Sequence, residues 1–136
     1  MNTLANMMQA HPSVSFDDMD LLNRCIDDLT MCEQACTMCA DACLGETEHL
    51  QRLARCIRLN LDCADVCNAT RKLLSRQTHA PWVLFRQQIN ACMTACELCG
   101  AECDMHAEWH EHCRICGDLC RKCSESCKEL LDKLPQ

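Results

Sequence analysis

The chain has 136 residues and a net charge of −7, and its length suffices for one domain with a buried core. Its basic residues are scattered among acidic ones, and it has neither an export-signal pattern nor an apolar run that could span a bilayer. We therefore expect a cytoplasmic protein that binds neither nucleic acid nor membrane.

Helical patterns cover most of the chain, and only 3 prolines and 3 glycines interrupt them. Residues 1–15 are predicted to be an N-terminal extension with a short helix of its own, and residues 16–136 a single domain. The helices of that domain are predicted at about 16–43, with Ser15 as N-cap, and at about 47–76, 81–106 and 108–134. The short connections favour antiparallel neighbours, which predicts an all-α, up-down-up-down four-helix bundle.

The cysteines recur at helical spacing, most visibly in "CEQACTMCADAC" at 32–43 and "CMTACELCGAEC" at 92–103. Steps of four and three residues bring side chains to one face of a helix, the face that points to the axis of a bundle. We therefore expect a core lined by all 17 cysteines: Cys25, Cys32, Cys36, Cys39, Cys43, Cys56, Cys63, Cys67, Cys92, Cys96, Cys99, Cys103, Cys113, Cys116, Cys120, Cys123 and Cys127.

The two ends of the predicted bundle differ in composition. The cysteines crowd the half nearest the expected turns at Gly45 and Ala107, and Trp109 occupies the first axis-facing position of the fourth helix. The other half carries large apolar residues that should close the bundle as a plug: Leu22, Leu74, Trp82, Phe85, Ile89, Leu130 and Leu134. The pattern thus predicts a narrow tube of thiols that is open at one end.

Thiolates in this number indicate a soft metal, namely Cu(I), zinc or an iron–sulfur cluster. When Cu(I) replaces a thiol proton, the net charge of the core does not change. A zinc ion with four thiolates leaves a charge of about −2 in a desolvated core, and no lysine or arginine lies among the axis-facing cysteines to balance it. The composition favours many Cu(I) ions per chain, while a zinc reservoir and an iron–sulfur electron carrier remain alternatives.

Other metal-binding side chains lie towards the open end. His106, His110 and His112 are close in sequence, and His49 is expected at the same end. Imidazole binds Cu(I) more weakly than thiolate does, so we expect these histidines to form an entry site. Asn60 occupies an axis-facing position, where it either sets helix register or acts as a weak oxygen ligand.

The axis-facing positions among the cysteines carry no charged acid–base pair of the kind that catalysis uses, so we expect no enzymatic activity. The acidic residues nearest the histidines in sequence are Glu108 and Glu111, which are the expected neighbours of the imidazoles.

The run "CxxxCxxCxxxC" at 32–43 and 92–103, "CxxCxxxCxxCxxxC" at 113–127 and "HxxxHxH" at 106–112 resemble the bacterial copper storage proteins, from about residue 16 onward. The lack of an export signal resembles their cytosolic branch. The resemblance implies a homotetramer of four-helix bundles, each filled with many Cu(I) ions. It also implies that the 17 cysteines are ligands, with His106, His110, His112 and Asn60 among the ligands towards the open end.

Overall fold

The computed structural model describes residues 3–136, which form five helices joined by loops. They are α1 Thr3–Ala10, α2 Met19–Gly45, α3 Leu50–Ser75, α4 Trp82–His106 and α5 Glu111–Asp132. The predicted short N-terminal helix is therefore present as α1. Met1 and Asn2, which belong to the predicted extension, lie outside the described residues. No residue of 3–136 lies in a strand.

The four long helices form an antiparallel bundle, as predicted. Helices α2 and α4 each pack against both α3 and α5. The direction of packing follows from the cysteines: Cys25 near the start of α2 contacts Cys127 near the end of α5, and Cys39 near the end of α2 contacts Cys113 at the start of α5. Short loops at 46–49, 76–81 and 107–110 connect the helices and alternate between the two ends of the bundle.

Helix α2 begins three residues later than the sequence predicts, so Ser15 as its N-cap was wrong. The cap is Asp18, whose Oδ1 accepts a hydrogen bond of 3.1 Å from the backbone N–H of Leu21. Ser15 lies before the helix, where its hydroxyl donates to the carbonyl oxygen of Gln77 and its backbone N–H donates to Oε1 of the same residue at 3.2 Å. A contact from the loop between α3 and α4 thus overrides the local capping preference.

Gln77 fastens the N-terminal extension to the bundle. Its side chain is fully buried, and Oε1 accepts hydrogen bonds from the backbone N–H groups of Ser15 and Phe16 at 3.2 and 3.0 Å. Nε2 donates at 2.8 Å to the carbonyl oxygen of Leu74, which lies in the last turn of α3. The amide therefore holds Phe16, which is itself buried, over the end of the bundle.

The apolar plug lies at the same end as Gln77. Phe85 and Ile89 of α4 are buried, and Trp82 packs edge-on against Phe85 with ring centroids 5.7 Å apart. Trp82 is half-buried. The remaining members of the predicted plug are buried: Leu22, Leu74, Leu130 and Leu134.

The placement of Trp109 in the core was wrong, because its side chain is 77 % exposed. The sequence predicts a fourth helix from about residue 108, whereas α5 begins only at Glu111. Residues 107–109 instead form a turn, in which the carbonyl oxygen of His106 accepts hydrogen bonds from the N–H groups of Trp109 and His110. Helical periodicity therefore does not apply to Trp109. Within residues 3–136, none of the helices is both long and apolar enough to cross a membrane.

Candidate metal centre

The cysteine side chains form one continuous set along the bundle axis, which we call the thiol column. All 17 cysteines are free thiols, and none is more than 2 % exposed. Helical periodicity explains this burial, since each cysteine occupies an axis-facing position on its helix. The structure thus brings together every cysteine that the sequence placed in the core.

The sulfur atoms are spaced as ligands of shared ions would be. In the middle of the column Cys36 Sγ lies 3.7 Å from Cys116 Sγ and 3.8 Å from both Cys99 and Cys120. Two sulfurs at about 2.3 Å from one metal ion are about 3.8 Å apart in tetrahedral geometry and about 4.0 Å apart in trigonal geometry. The column therefore offers soft ligands at bonding separation without movement of the helices.

Neighbouring groups of four cysteines overlap. In each group the four sulfur atoms lie within 4.8 Å of one another, as in Cys67, Cys92, Cys96 and Cys123, or Cys32, Cys63, Cys67 and Cys96, or Cys32, Cys36, Cys63 and Cys120, or Cys36, Cys99, Cys116 and Cys120. Because consecutive groups share members, an ion bound in one group uses sulfurs that also belong to the next. The column is suited to a chain of linked ions rather than to separate four-cysteine sites.

Hydrogen bonds between thiols shift their pKa values in opposite directions. Contact with Cys116, then with Cys120, raises the pKa of Cys36, and burial adds to the rise. Contact with Cys120, then with Cys123, lowers the pKa of Cys32 although burial acts against it. The thiols of the column are thus not equivalent, and binding of a soft cation to any of them requires loss of its proton.

Asn60 lies inside the column and is fully buried. Its Oδ1 accepts hydrogen bonds from the thiols of Cys99 and Cys116, both at 3.1 Å, and its Nδ2 donates to Cys56 Sγ at 3.4 Å. The amide therefore links thiols of three helices, α3, α4 and α5. These hydrogen bonds are compatible with both roles that the sequence predicted for Asn60, setting helix register and offering an oxygen ligand, and the role as a ligand stays a prediction.

The open end, which we call the mouth, is formed by loops 46–49 and 107–110 and the helix ends beside them. The rings of His49 and His110 are in edge contact with centroids 5.7 Å apart, and those of His110 and His112 are stacked at 5.5 Å. His106 is half-buried beside them. The structure thus gathers at this end the four histidines that the sequence placed there.

His112 joins the mouth to the thiol column. Its Nδ1 lies 3.5 Å from Cys39 Sγ and 3.6 Å from Cys113 Sγ. Together with Cys43, these residues form a group whose ligand atoms lie within 4.8 Å of one another. This mixed imidazole and thiol group is the outermost soft site of the column.

Two carboxylates pair with the mouth histidines, and sequence reasoning missed both. Glu46 Oε2 lies 2.6 Å from His110 Nδ1 and 3.1 Å from His112 Nε2. Glu102 Oε2 lies 2.9 Å from His106 Nε2. Glu102 could have been found, because it lies four residues before His106 on the same helix face. Glu46 follows α2 in a loop, so no periodic signal indicates it.

The expected neighbours Glu108 and Glu111 were the wrong carboxylates. Glu111 instead forms an ion pair with Arg114 on the outer face of α5, and Glu108 is exposed. The cause is again the turn at 107–109, which moves the start of α5 away from the position that the sequence predicts.

The pairing with Glu46 changes the acid–base properties of the mouth. Burial by itself lowers the pKa of His112, but its contacts with Cys39 and Glu46 outweigh burial and raise that pKa above its usual value. The contact with His112 in turn lowers the pKa of Glu46. A charged carboxylate therefore faces both His110 and His112 at neutral pH.

A family model described as copper storage protein matches residues 18–132. The chain belongs to the copper storage protein family. The matched region spans α2 to α5, and thus includes the whole thiol column and the mouth.

The chain is similar to solved structures of copper storage proteins and to a cysteine-rich protein of Bacillus subtilis. A structure of the copper storage protein Ccsp from Streptomyces lividans, loaded with 10 copper equivalents, is 44 % identical, covers 96 % of this chain and 99 % of its own, and has a TM-score of 0.92. A structure of the cytosolic copper storage protein from the same organism with five coppers is 48 % identical, covers 85 % and 96 %, and has a TM-score of 0.83. The uncharacterized cysteine-rich protein YhjQ of Bacillus subtilis is 38 % identical over 110 residues, 80 % of this chain and 91 % of its own.

Proposed function

We propose that this member of the copper storage protein family stores Cu(I), with many ions bound by thiolates inside the bundle. The observation that carries the proposal is the thiol column of 17 buried cysteines, many of which form overlapping groups with ligand atoms within 4.8 Å of one another. The copper-loaded state of the Streptomyces lividans relatives supports the same cargo. Ions would enter at the mouth, where imidazole nitrogens precede the first thiols.

Charge favours Cu(I) over zinc and over iron–sulfur clusters. No lysine or arginine among residues 3–136 is buried, so no positive side chain lies inside the column to balance excess negative charge. A monovalent ion in exchange for a proton leaves the column close to neutral, whereas zinc with four thiolates does not. A store of many ions in a desolvated core therefore suits Cu(I).

The chain acts in the cytosol as a binding protein and not as an enzyme. Reducing conditions keep its thiols free, and one of the Streptomyces lividans relatives is described as cytosolic. The imidazole and carboxylate pairs at the mouth lie beside the thiol column, because His112 contacts both Glu46 and Cys39. Paired acid and base groups there serve the metal ion.

The chain forms a homo-oligomer, a tetramer by its resemblance to the family. Apolar side chains exposed on the outer faces of the bundle support self-association: Met31, Met38, Leu50, Leu61 and Ile115. Light scattering on the purified protein tests this, and a tetramer has about four times the mass of the 15.4 kDa chain. A mass equal to that of one chain would contradict the proposal.

An anaerobic titration tests the storage function. The reduced protein receives Cu(I) in the presence of a competing chelator, and bound copper per chain is counted against the 17 cysteines. We expect a number of ions close to or above the number of thiols. Saturation at one to four ions would refute storage, and a brown, reversibly reducible protein after reconstitution with iron would favour an electron carrier.

A further inference from the structure

Each of three mouth histidines gives one ring nitrogen to a carboxylate. Glu102 pairs with Nε2 of His106, while Glu46 pairs with Nδ1 of His110 and Nε2 of His112. A carboxylate only accepts hydrogen bonds, so the paired nitrogen of a neutral imidazole carries the proton. The other nitrogen is then unprotonated and free to bind a metal ion.

The two nitrogens of His112 face different surroundings. Nε2 is 3.1 Å from Glu46 Oε2, whereas Nδ1 is 3.5 Å from Cys39 Sγ and 3.6 Å from Cys113 Sγ. The nitrogen that the carboxylate leaves unprotonated is therefore the one that faces the first thiols. In metal sites a carboxylate on the far nitrogen of a ligand histidine fixes both its tautomer and its ring orientation.

Glu46 Oε2 also lies 2.6 Å from Nδ1 of His110, within ion-pair distance, so Nε2 is the nitrogen of that ring without a contact to the carboxylate. His110 is only 9 % exposed and its ring is stacked on that of His112. One carboxylate oxygen thus lies within 3.1 Å of two stacked imidazoles at the mouth.

We propose that Glu46 is a positioning residue for Cu(I) entry, and this proposal rests on the storage function. Glu46 holds the rings of His110 and His112 with one nitrogen of each free of the carboxylate, so that an ion bound at these rings passes to Cys39 and Cys113. The ion keeps its oxidation state. On transfer the bond from copper to nitrogen is replaced by a bond to sulfur, and the thiol proton leaves to solvent.

The side chain of Glu46 can be removed without loss of its backbone role. Its N–H donates to the carbonyl oxygen of Cys43 at 3.1 Å and so caps α2, and any residue other than proline supplies that N–H. Glu48 is a matched control because it lies in the same loop and is exposed. Glu46→Gln keeps an acceptor oxygen without the charge.

Loading kinetics test the proposal. Wild type, Glu46→Ala, Glu46→Gln and Glu48→Ala receive less than one equivalent of Cu(I) from a weak chelator complex, and uptake is followed with time. We expect Glu46→Ala to load about ten- to a hundredfold more slowly, the range for loss of a carboxylate behind a metal-binding histidine. Glu46→Gln should recover most of the rate, and Glu48→Ala should match wild type.

Nitrogen NMR of the histidine rings in the metal-free protein gives a readout that a merely structural role would not move. At a pH at which the rings are neutral, we expect the proton of His112 on Nε2 and that of His110 on Nδ1 in wild type, with a mixture of tautomers in Glu46→Ala. Unchanged tautomers in that variant, a wild-type loading rate, or equal slowing by Glu48→Ala would each overturn the proposal. Total copper per chain, measured separately, tests storage itself, so the two failures are distinguishable.

Discussion

The histidines at the mouth and the cysteines behind them differ in affinity for Cu(I), and this difference gives the entrance a direction. Imidazole is a borderline ligand and thiolate a soft one, so each step inward is favourable for a soft ion. His112 is the point of change, because its Nδ1 faces Cys39 and Cys113 while its Nε2 faces Glu46. In the proposed function, entry and storage are therefore properties of different residues.

Replacement of His106, His110 and His112 by alanine should slow Cu(I) loading by about tenfold or more and remove only the last few ions from the total. The thiol column, which holds most of the ligands, is unchanged in this variant. Anaerobic loading kinetics and copper analysis measure both effects. His11→Ala is the control, since its Nδ1 only accepts a local hydrogen bond from the N–H of Ser13. Loss of most of the copper capacity in the triple variant would contradict the role of these histidines as an entry site.

At the scale of the helices, α2 and its N-terminal extension depend on contacts that lie far apart in sequence. Gln77 follows α3, yet it binds the backbone of Ser15 and Phe16 before α2. The bond to Phe16 is buried and the bond to Ser15 is partly buried, and their loss leaves both N–H groups without this partner.

Gln77→Ala should lower the free energy of unfolding of the metal-free protein by about 1 to 3 kcal/mol, the usual range for an unsatisfied buried polar group. Chemical denaturation under reducing conditions measures the change. Gln87→Ala on the outer face of α4 is the matched control and should have little effect. Copper capacity should stay at the wild-type value in both variants, because neither glutamine lies in the thiol column. Equal stability of Gln77→Ala and wild type would contradict the role of Gln77 in fastening the N-terminal extension to the bundle.

The N-cap of α2 makes a pH-dependent contribution to stability. The hydrogen bond from the backbone N–H of Leu21, and next the contact with Lys133, lower the pKa of Asp18 below its usual value of 3.8. A carboxylate with a lowered pKa in the folded state stabilises the fold above the pKa of the unfolded chain, and this contribution is lost as pH falls through the folded value.

Asp18→Ala should therefore lower the melting temperature of the metal-free protein at neutral pH, and the difference from wild type should shrink as pH falls below about 3.8. Thermal unfolding monitored by circular dichroism over this pH range measures the effect. Asp20→Ala, which changes an exposed residue in the first turn, should cause a smaller loss. A difference that stays constant with pH would exclude the charged cap as its cause.

For the whole molecule, the thiol column replaces much of the hydrophobic core that a bundle of this length would otherwise have. A cysteine side chain buries less apolar area than leucine, so the plug of Phe85, Ile89 and their neighbours supplies much of the apolar packing in the metal-free state. Ions that bind only the folded bundle then add to its stability in proportion to their binding free energy.

The melting temperature should consequently rise stepwise as Cu(I) is added and return to its metal-free value when a chelator removes the metal. Each site filled at 100 times its dissociation constant adds about 2.7 kcal/mol to the free energy of unfolding. Differential scanning calorimetry at increasing copper equivalents measures this. A melting curve that does not change at full loading would show that copper binds outside the folded core.

Helical periodicity is local, so the sequence alone determined that all 17 cysteines line the bundle axis and that the four mouth histidines gather at one end. Contacts between residues distant in sequence, such as Gln77 with Ser15, accompany the late start of α2, whereas the local turn at 107–109 accounts for the late start of α5 and the exposure of Trp109. Only the tertiary structure decided which sulfurs are neighbours across helices. It also brought Glu46, from a loop without periodic pattern, to His110 and His112, because the packing of α2 against α5 places the end of one beside the start of the other.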